Sequence, residues 1–291
     1  MDGLIGLTGV TGNVGGRVAA LCAARGLPLR LIVRDRGRAP ELPGAEVRAA
    51  ADYGAGEEMR SALDGVETFF LVPGREHADR VRQHLTAVDA AVAAGVRRIV
   101  YLSFLGATPD STFTLARQHW ATEEHIRAHG TGAFAFLRMN LYMDFIPSMV
   151  SAEGVIAGPA GDGSYGAVMR SDVAASAAAV LAAPGEHDGQ TYDLTGPETF
   201  SLGQAAALMT ELTGKAVTYR NETEDQAYAS RAVYGAPDWE VEGWVTSYQA
   251  IAAGDFDVVS DDVRRLTGRA PISLREYVSG EPECLAHVEA G

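Results

Sequence analysis

The chain has 291 residues, of which 47% are hydrophobic and 21% charged, and its net charge is −14. These values are typical of a soluble globular protein with one large α/β domain and a smaller lobe. Because no Lys/Arg-rich block is present to neutralise phosphates, composition argues against nucleic acid or an anionic membrane as the main partner. The two cysteines, Cys22 and Cys284, lack metal-ligand or disulfide spacing, which favours a reducing compartment.

Two features of the chain bear on its location. The first predicted strand begins at residue 4, which leaves no room for a signal peptide. No apolar run approaches the roughly 18 residues that a membrane helix needs. We therefore expect a cytoplasmic protein, a monomer or homodimer, that binds neither a membrane nor nucleic acid.

The first half of the chain alternates predicted strands with predicted helices. Strands are expected at residues 4–7, 29–33, 46–50, 68–72, 98–103 and 134–138. Helices are expected after the first strand, at 78–94, and at 115–129, the last ending at Gly130. This alternation predicts βαβ units, and right-handed crossovers then give an α/β fold with a doubly wound parallel sheet, the Rossmann arrangement.

The pattern changes beyond Met139. Helices are predicted at 172–183 and 201–213, strands at 190–194 and 217–220, and more helix to about residue 266. We expect three parts along the chain. They are an NAD(P)-binding Rossmann domain at 1–140 to which later segments return, a smaller C-terminal α/β substrate lobe at 141–280, and a flexible tail at 281–291.

The stretch LTGVTGNVGG at 7–16 follows the first strand and precedes a segment with apolar residues at helical spacing. In that context Gly9 permits a sharp turn, Gly12 lets the backbone approach a pyrophosphate, and Gly15 lets helix and strand pack closely. The anion would lie at the helix N-terminus. The alternative is a tight turn without a ligand. The predicted cofactor contacts along this loop are Gly9, Thr11, Gly12, Asn13, Val14 and Gly15.

The end of the second strand predicts which nucleotide is preferred. An NAD-preferring fold usually places Asp or Glu about 20 residues past the glycines, to bind the ribose 2′-hydroxyl. Arg34 takes that place here, and a guanidinium can form paired hydrogen bonds with a 2′-phosphate. Arg38 is predicted to assist it. The alternative is a solvated charged turn. We expect NADP(H) to be preferred over NAD(H).

Several stretches along the chain carry a resemblance to a known family. They are TGVTGNVGG (8–16), VRD (33–35), FFLVPG (69–74), RRIVYLS (97–103), HWATEEHIRAHG (119–130), LRMNLYMDF (137–145), SDVAASAAAVL (171–181) and YDLTGPETFSLGQAAALMTELTGK (192–215). These stretches resemble the NmrA-like atypical short-chain dehydrogenases/reductases, and are most similar to the branch of NADPH-dependent quinone oxidoreductases and triphenylmethane reductases. The resemblance covers nearly the whole chain and implies a Rossmann domain with a small C-terminal lobe, NADPH binding and reduction of a conjugated acceptor.

One departure from the wider superfamily concerns catalysis. Tyrosine-dependent relatives carry Tyr-x-x-x-Lys on the helix after the fifth strand, and four residues apart means one helical face. Here Leu115 stands at the tyrosine position and His119 at the lysine position. His119 could relay a proton or orient the cofactor, with Glu123 orienting its ring, because imidazole titrates near neutral pH. The alternative is a structural histidine satisfied by Glu123.

Five further residues are candidates because they end or follow strands. Ser103 ends the fifth strand, where relatives place a hydroxyl near the nicotinamide, although serine also ends strands simply to form turns. Val72 ends the fourth strand and Pro73 and Gly74 follow it; all three are predicted to pass close to the cofactor, with turn formation as the alternative. Tyr142 follows the sixth strand and could contact substrate or donate a proton, although packing between lobes also explains it.

The function that these features predict is hydride transfer from NADPH to a small conjugated acceptor, such as a quinone, an imine or iminium, or a dye-like cation. Such an acceptor needs little acid catalysis, which suits a site without the tyrosine. The alternative from another class is a nucleotide-sensing regulatory protein of the NmrA type that does no chemistry. A third possibility is redox-neutral chemistry such as isomerisation. Fold alone does not choose among them.

Overall fold

The computed structural model describes residues 3–129 and 132–288, so the predicted helix end at Gly130 lies outside the described residues. A seven-stranded sheet is its main element. The strands are β1 (Ile5–Leu7), β2 (Leu29–Val33), β3 (Glu46–Ala49), β4 (Thr68–Leu71), β5 (Arg98–Phe104), β6 (Ala133–Met139) and β9 (Gln190–Leu194). Their order in the sheet is β3-β2-β1-β4-β5-β6-β9, and the pairs among the first six strands are parallel. The doubly wound Rossmann arrangement is therefore confirmed.

Five helices connect or follow these strands. The short helix at residues 56–62 was not predicted, because it buries only Met59 and Ala62 and is too short to show a helical period. The helices are α1 (Asn13–Ala24), α2 (Gly56–Ala62), α3 (Arg80–Ala93), α4 (Thr114–His129) and α5 (Arg170–Ala182).

The chain divides into two compact units. The first contains most of the sheet, and the chain returns to it through Arg170–Asp193, which carries α5 and most of β9. Its segments are Met1–Pro109, Arg117–Met139 and Arg170–Asp193. The second unit consists of Asp110–Ala116, Asn140–Met169 and Leu194–Gly291.

Strand pairing places the loops of the first unit. Ile5 at the start of β1 pairs with Leu29 of β2 and with Thr68 of β4. Because all three strands run in the same direction, their carboxyl ends lie side by side. Every residue of β1, β2 and β4 is buried, so the ends of these strands are fixed by the core. The loops after them are therefore held at one edge of the sheet.

The second unit contains two small sheets and most of the later helices. β8 and β10 pair antiparallel, and β7 and β11 pair parallel, where these strands are β7 (Val155–Gly158), β8 (Ser164–Tyr165), β10 (Phe200–Ser201) and β11 (Thr218–Asn221). The helices are α6 (Leu202–Thr213), α7 (Glu224–Arg231), α8 (Asp238–Ala253), α9 (Asp262–Thr267) and α10 (Leu274–Gly280). Ser201 caps α6 and forms a capping box with Gln204. No helix in the described part of the chain is long and apolar enough to cross a membrane.

The predicted flexible tail at 281–291 requires a correction for the residues that the structure describes. Pro282–Leu285 forms one turn of 3₁₀ helix, and Leu285 and Val288 are buried. The Val288 carbonyl accepts a hydrogen bond from the Lys215 ammonium group. These contacts hold residues 282–288 against the second unit, because burial of two apolar side chains offsets part of the entropy of ordering the segment.

Candidate cofactor site

The glycine loop after β1 leads directly into α1. Gly9 has φ = +66°, and a Cβ there would lie 2.8 Å from the side chain of Val72, so another residue would be both strained and crowded. The helix begins at Asn13 with Gly12 as N-cap, and no side chain caps it. A Cβ at Gly12 would meet only the Gly9 carbonyl oxygen, at 3.3 Å. The loop therefore leaves the helix N-terminus open to an anion.

Gly15 has a different local role. A Cβ at Gly15 would lie 2.4 Å from the Gly9 carbonyl oxygen, which is backbone. Val14 and Gly15 are buried, whereas Thr11 and Asn13 are exposed. The glycines at 9 and 15 thus permit the turn and the close packing of helix on loop, and Gly12 leaves space above the helix N-terminus.

A cleft of about 360 Å³ lies beside this loop, among residues that follow the carboxyl ends of β1 to β4. It brings together five of the predicted cofactor contacts: Gly9, Thr11, Arg34, Pro73 and Gly74. The other predicted positions are not among the residues that line it: Gly12, Asn13, Val14, Gly15, Arg38, Val72, Ser103 and His119. A cleft of this size suits part of a dinucleotide, with the helix N-terminus beside it.

The charged turn after β2 has one arginine at the cleft. Arg34 is exposed and lines the cleft, and no carboxylate of the described chain lies within salt-bridge distance of it. Asp35 turns towards its own backbone, because its Oδ1 accepts the N–H of Gly37 at 2.9 Å. Arg38 ends the short 3₁₀ helix Arg36–Arg38 and is exposed outside the cleft. Because Asp35 is bonded to its own backbone, it leaves the Arg34 guanidinium available to a phosphate.

Sequence reasoning missed several residues of the cleft. They follow β3 and β4, and the rule that ligands bind at the carboxyl ends of parallel strands could have found them. They are Asp52, Tyr53, Arg75, His77 and Gln83. The Tyr53 hydroxyl donates to the Val72 carbonyl at 2.7 Å, and burial raises the pKa of Tyr53 to about 12. Tyr53 thus stays un-ionised and ties the loop after β3 to the segment after β4.

Ser103 lies in a buried ionic cluster. Its hydroxyl donates to Oε1 of Glu123 at 2.6 Å, and both residues are fully buried. Glu123 also accepts two hydrogen bonds from Arg138, at 2.9 and 2.6 Å, and one from Arg127 at 3.1 Å. The expectation that Glu123 orients His119 is therefore wrong, because its two oxygens are occupied by Ser103 and the two arginines.

His119 has different partners and is only 3% exposed. Its Nδ1 lies 2.9 Å from the Tyr101 hydroxyl, and its Nε2 lies 3.3 Å from Nη2 of Arg80. Burial, and next the Arg80 cation, hold the pKa of His119 well below its ordinary value of 6.5. Because a guanidinium can only donate, Nε2 is the acceptor and the ring hydrogen lies on Nδ1. His119 is thus a neutral, buried ring with both nitrogens engaged.

Two other predicted positions belong to the second unit. Tyr142 is half-buried, forms an isolated β-bridge with Val168 and precedes the 3₁₀ helix Met143–Met149. Leu115, at the position of the superfamily tyrosine, is buried, and its Cγ would lie 3.1 Å from a Cβ at Gly243. Leu115 packs in an apolar contact and has no proton to give.

Comparison with known proteins identifies the family. Residues 1–238 match the NmrA-like family. The chain belongs to the NmrA-like family. Quinone oxidoreductase 2 of Escherichia coli strain K12 is 35% identical to this chain over 283 residues, which cover 95% of this chain and 98% of that protein.

Two solved structures are also similar along most of the chain. The NADPH-dependent quinone oxidoreductase of Escherichia coli, solved with NADPH, has a TM-score of 0.86 and 34% identity, covering 95% of this chain and 99% of that one. The triphenylmethane reductase of Citrobacter sp., solved with NADP(H), has a TM-score of 0.84 and 32% identity, with coverage of 95% and 99%. The resemblance to the NmrA-like family and to this branch of it is therefore confirmed.

Proposed function

We propose that this NmrA-like protein is an NADPH-dependent oxidoreductase that reduces a small conjugated organic acceptor such as a quinone, an imine or iminium, or a dye-like cation. The observation that carries the proposal is the cleft, where the glycine loop and Arg34 meet. Two relatives that are 35% and 30% identical over most of the chain are named as a quinone oxidoreductase and an azoreductase, which supports the same acceptor class.

The residues of the cleft fit a phosphorylated dinucleotide. The open N-terminus of α1, with its unpaired N–H groups, would hold the pyrophosphate. Arg34 would bind the 2′-phosphate, which NADH lacks. Pro73 and Gly74 form the wall of the cleft after β4 and would fix where the bound nucleotide runs.

When bound, NADPH supplies the hydride from its nicotinamide ring. The work of the chain is then to position the cofactor against the acceptor and to exclude water. A quinone or iminium stabilises the incoming hydride through its own conjugation, so Leu115 at the tyrosine position is compatible with the reaction. His119 would act by positioning, because both of its ring nitrogens are occupied. Tyr142 of the second unit is proposed as a substrate contact, which Tyr142→Phe tests.

The experiment is NADPH oxidation by the purified full chain, followed at the nicotinamide absorbance, against a panel containing a quinone, an imine, a cationic dye and an enone. We expect acceptor-dependent oxidation with at least one of them, faster with NADPH than with NADH. Gly12→Val serves as a control for contaminating reductases, since it fills the space above the helix N-terminus.

The same experiment separates the alternatives. A nucleotide-sensing regulator would bind NADPH tightly but would not oxidise it, whichever acceptor of the panel is added. An isomerase would convert its substrate while the nicotinamide absorbance stays constant. Either result would contradict the proposed reductase.

A further inference from the structure

A buried histidine holds one wall of the cleft. His84 lies on α3 and is fully buried, and its Nε2 accepts the backbone N–H of Gly74 at 2.9 Å. Gly74 lines the cleft, whereas His84 does not line the cleft and contacts it through Gly74. The side chain of a core helix therefore fixes the backbone of the cleft wall.

The partners of His84 define its tautomer. A backbone N–H can only donate, so Nε2 carries no hydrogen and the neutral ring is protonated on Nδ1. Nδ1 lies 3.1 Å from the hydroxyl oxygen of Thr122, and that hydroxyl donates to the Gln118 carbonyl at 3.0 Å. The hydrogen bonds thus run in one direction, from Gly74 through His84 and Thr122 to α4. Burial, and next the Arg80 cation, lower the pKa of His84 from 6.5 to about 3, which keeps the ring neutral.

The wall segment is held from its other side as well. The Tyr53 hydroxyl donates to the Val72 carbonyl at 2.7 Å, and the rings of Tyr53 and His84 stand edge to face with centroids 6.0 Å apart. A Cβ at Gly74 would lie 3.1 Å from the Tyr53 ring and 3.5 Å from Nε2 of His84. Gly74 is therefore confined between two rings, and its backbone N–H is hydrogen-bonded to His84.

We propose that His84 is a positioning residue for the cofactor, which sets the Pro73–Gly74 wall of the cleft through the Gly74 N–H. The inference rests on the proposed function, because it assumes that the cleft takes NADPH. A residue that merely fills the core would need only volume at this position. A positioning residue needs a hydrogen-bond acceptor at the place of Nε2.

Two variants separate these roles. His84→Gln carries its amide one bond further than His84→Asn, so the glutamine oxygen reaches the Gly74 N–H and the asparagine oxygen does not. Both variants are neutral and polar, and both lose the volume of the ring. Leaving a buried N–H without a hydrogen-bond partner typically changes an equilibrium constant about tenfold. We expect His84→Asn to raise the Kd and KM of NADPH about tenfold, with a smaller change in kcat, and His84→Gln to stay within about threefold of the wild-type chain.

His187→Asn is a matched control, because His187 is bonded to the Tyr192 hydroxyl, away from the cleft lining. It should leave the Kd of NADPH unchanged. Equal Kd values for His84→Asn, His84→Gln and the wild-type chain would overturn the proposal, whatever happens to the melting temperature.

A measurement on the unmodified chain covers the case in which the variants do not fold. Nitrogen NMR of the imidazole should show His84 protonated on Nδ1, and hydrogen exchange should show a protected Gly74 amide. A hydrogen on Nε2 would overturn the inference. Absence of NADPH binding by the wild-type chain would instead contradict the proposed function, and so the two failures are distinguishable.

Discussion

The Tyr101 hydroxyl lies 2.9 Å from Nδ1 of His119, in a buried layer between β5 and α4. The hydroxyl also lies 3.5 Å from Nδ1 of His84, so the two histidines are joined through one tyrosine. Burial raises the pKa of Tyr101 above its ordinary value. All three side chains are therefore un-ionised near neutral pH, and Arg80 places a positive charge beside His119.

This arrangement predicts how His119 affects turnover. His119→Ala should lower kcat with NADPH about tenfold, because the Tyr101 hydroxyl and Arg80 lose a shared partner and the cluster rearranges. The shape of the pH profile of kcat between about pH 5 and 8 should not change, since the ring does not titrate there in the folded chain. An acid limb that is present in the wild-type profile and lost in the variant would show that His119 transfers protons.

Thermal stability should also respond in that variant. The ring is 3% exposed, and its removal leaves buried polar groups without a partner. We expect the free energy of unfolding to fall by about 1–3 kcal/mol, measured by urea denaturation. Burial of the ring is the reason for an effect of this size.

Arg34 provides a test of cofactor preference. Arg34→Ala should weaken NADPH binding about tenfold to a hundredfold, because a charged paired contact with a phosphate is worth about 1.5–3 kcal/mol. The affinity for NADH should change little. Arg36→Ala is the control, since Arg36 is exposed on the same turn and does not line the cleft. Titration calorimetry with both nucleotides measures the difference, and equal losses for NADPH and NADH would contradict the assignment.

The glycines of the loop should differ in what their substitution damages. Gly12→Val should keep the fold, because a Cβ there meets only one atom, at 3.3 Å, but should abolish NADPH binding. Gly15→Ala should destabilise the protein by about 1–3 kcal/mol, since its Cβ would lie 2.4 Å from backbone. Circular dichroism and nucleotide titration together measure the two effects. A Gly12→Val protein that still binds NADPH would show that this glycine serves only the turn.

The fold was largely predictable from the sequence because its signals are local. The predicted strand at 29–33 coincides with β2, and the helix at 201–213 begins one residue later, at Leu202. Such elements are fixed by continuous apolar runs and capping residues, which a single sequence displays. The two-residue strands β8 and β10 carry no such signal, because their pairing depends on contacts between distant parts of the chain.

The site was predictable only in part, for the same physical reason. The glycine loop and Arg34 are recognised by spacing along the chain. The partners of Glu123 are not, because Ser103 and Arg138 come from neighbouring strands and compete with His119 for the same carboxylate. Spacing of four residues on one helix suggested a His119–Glu123 pair. The two charge-assisted hydrogen bonds from Arg138 are stronger than a hydrogen bond to a neutral ring, so Glu123 pairs with Arg138 and not with His119.

The buried histidines also predict how stability depends on pH. In the unfolded chain His84 and His119 titrate near pH 6.5, whereas in the folded chain the pKa of His84 is about 3 and that of His119 is well below 6.5. Above pH 6.5 both rings are neutral in both states and contribute no pH dependence. As the pH falls below 6.5, the unfolded chain binds protons that the folded chain excludes, so the free energy of unfolding decreases.

His84 should contribute a slope of about 1.4 kcal/mol per pH unit in this window. His84→Gln removes this contribution, so its free energy of unfolding should fall less steeply between about pH 6 and 4 than that of the wild-type chain. Urea denaturation at half-unit steps of pH measures both curves, and their difference isolates His84 because the carboxylates are common to both proteins. Parallel curves would mean that His84 gains its proton equally well in the folded chain, and therefore that the Gly74 N–H does not hold its Nε2 as an acceptor.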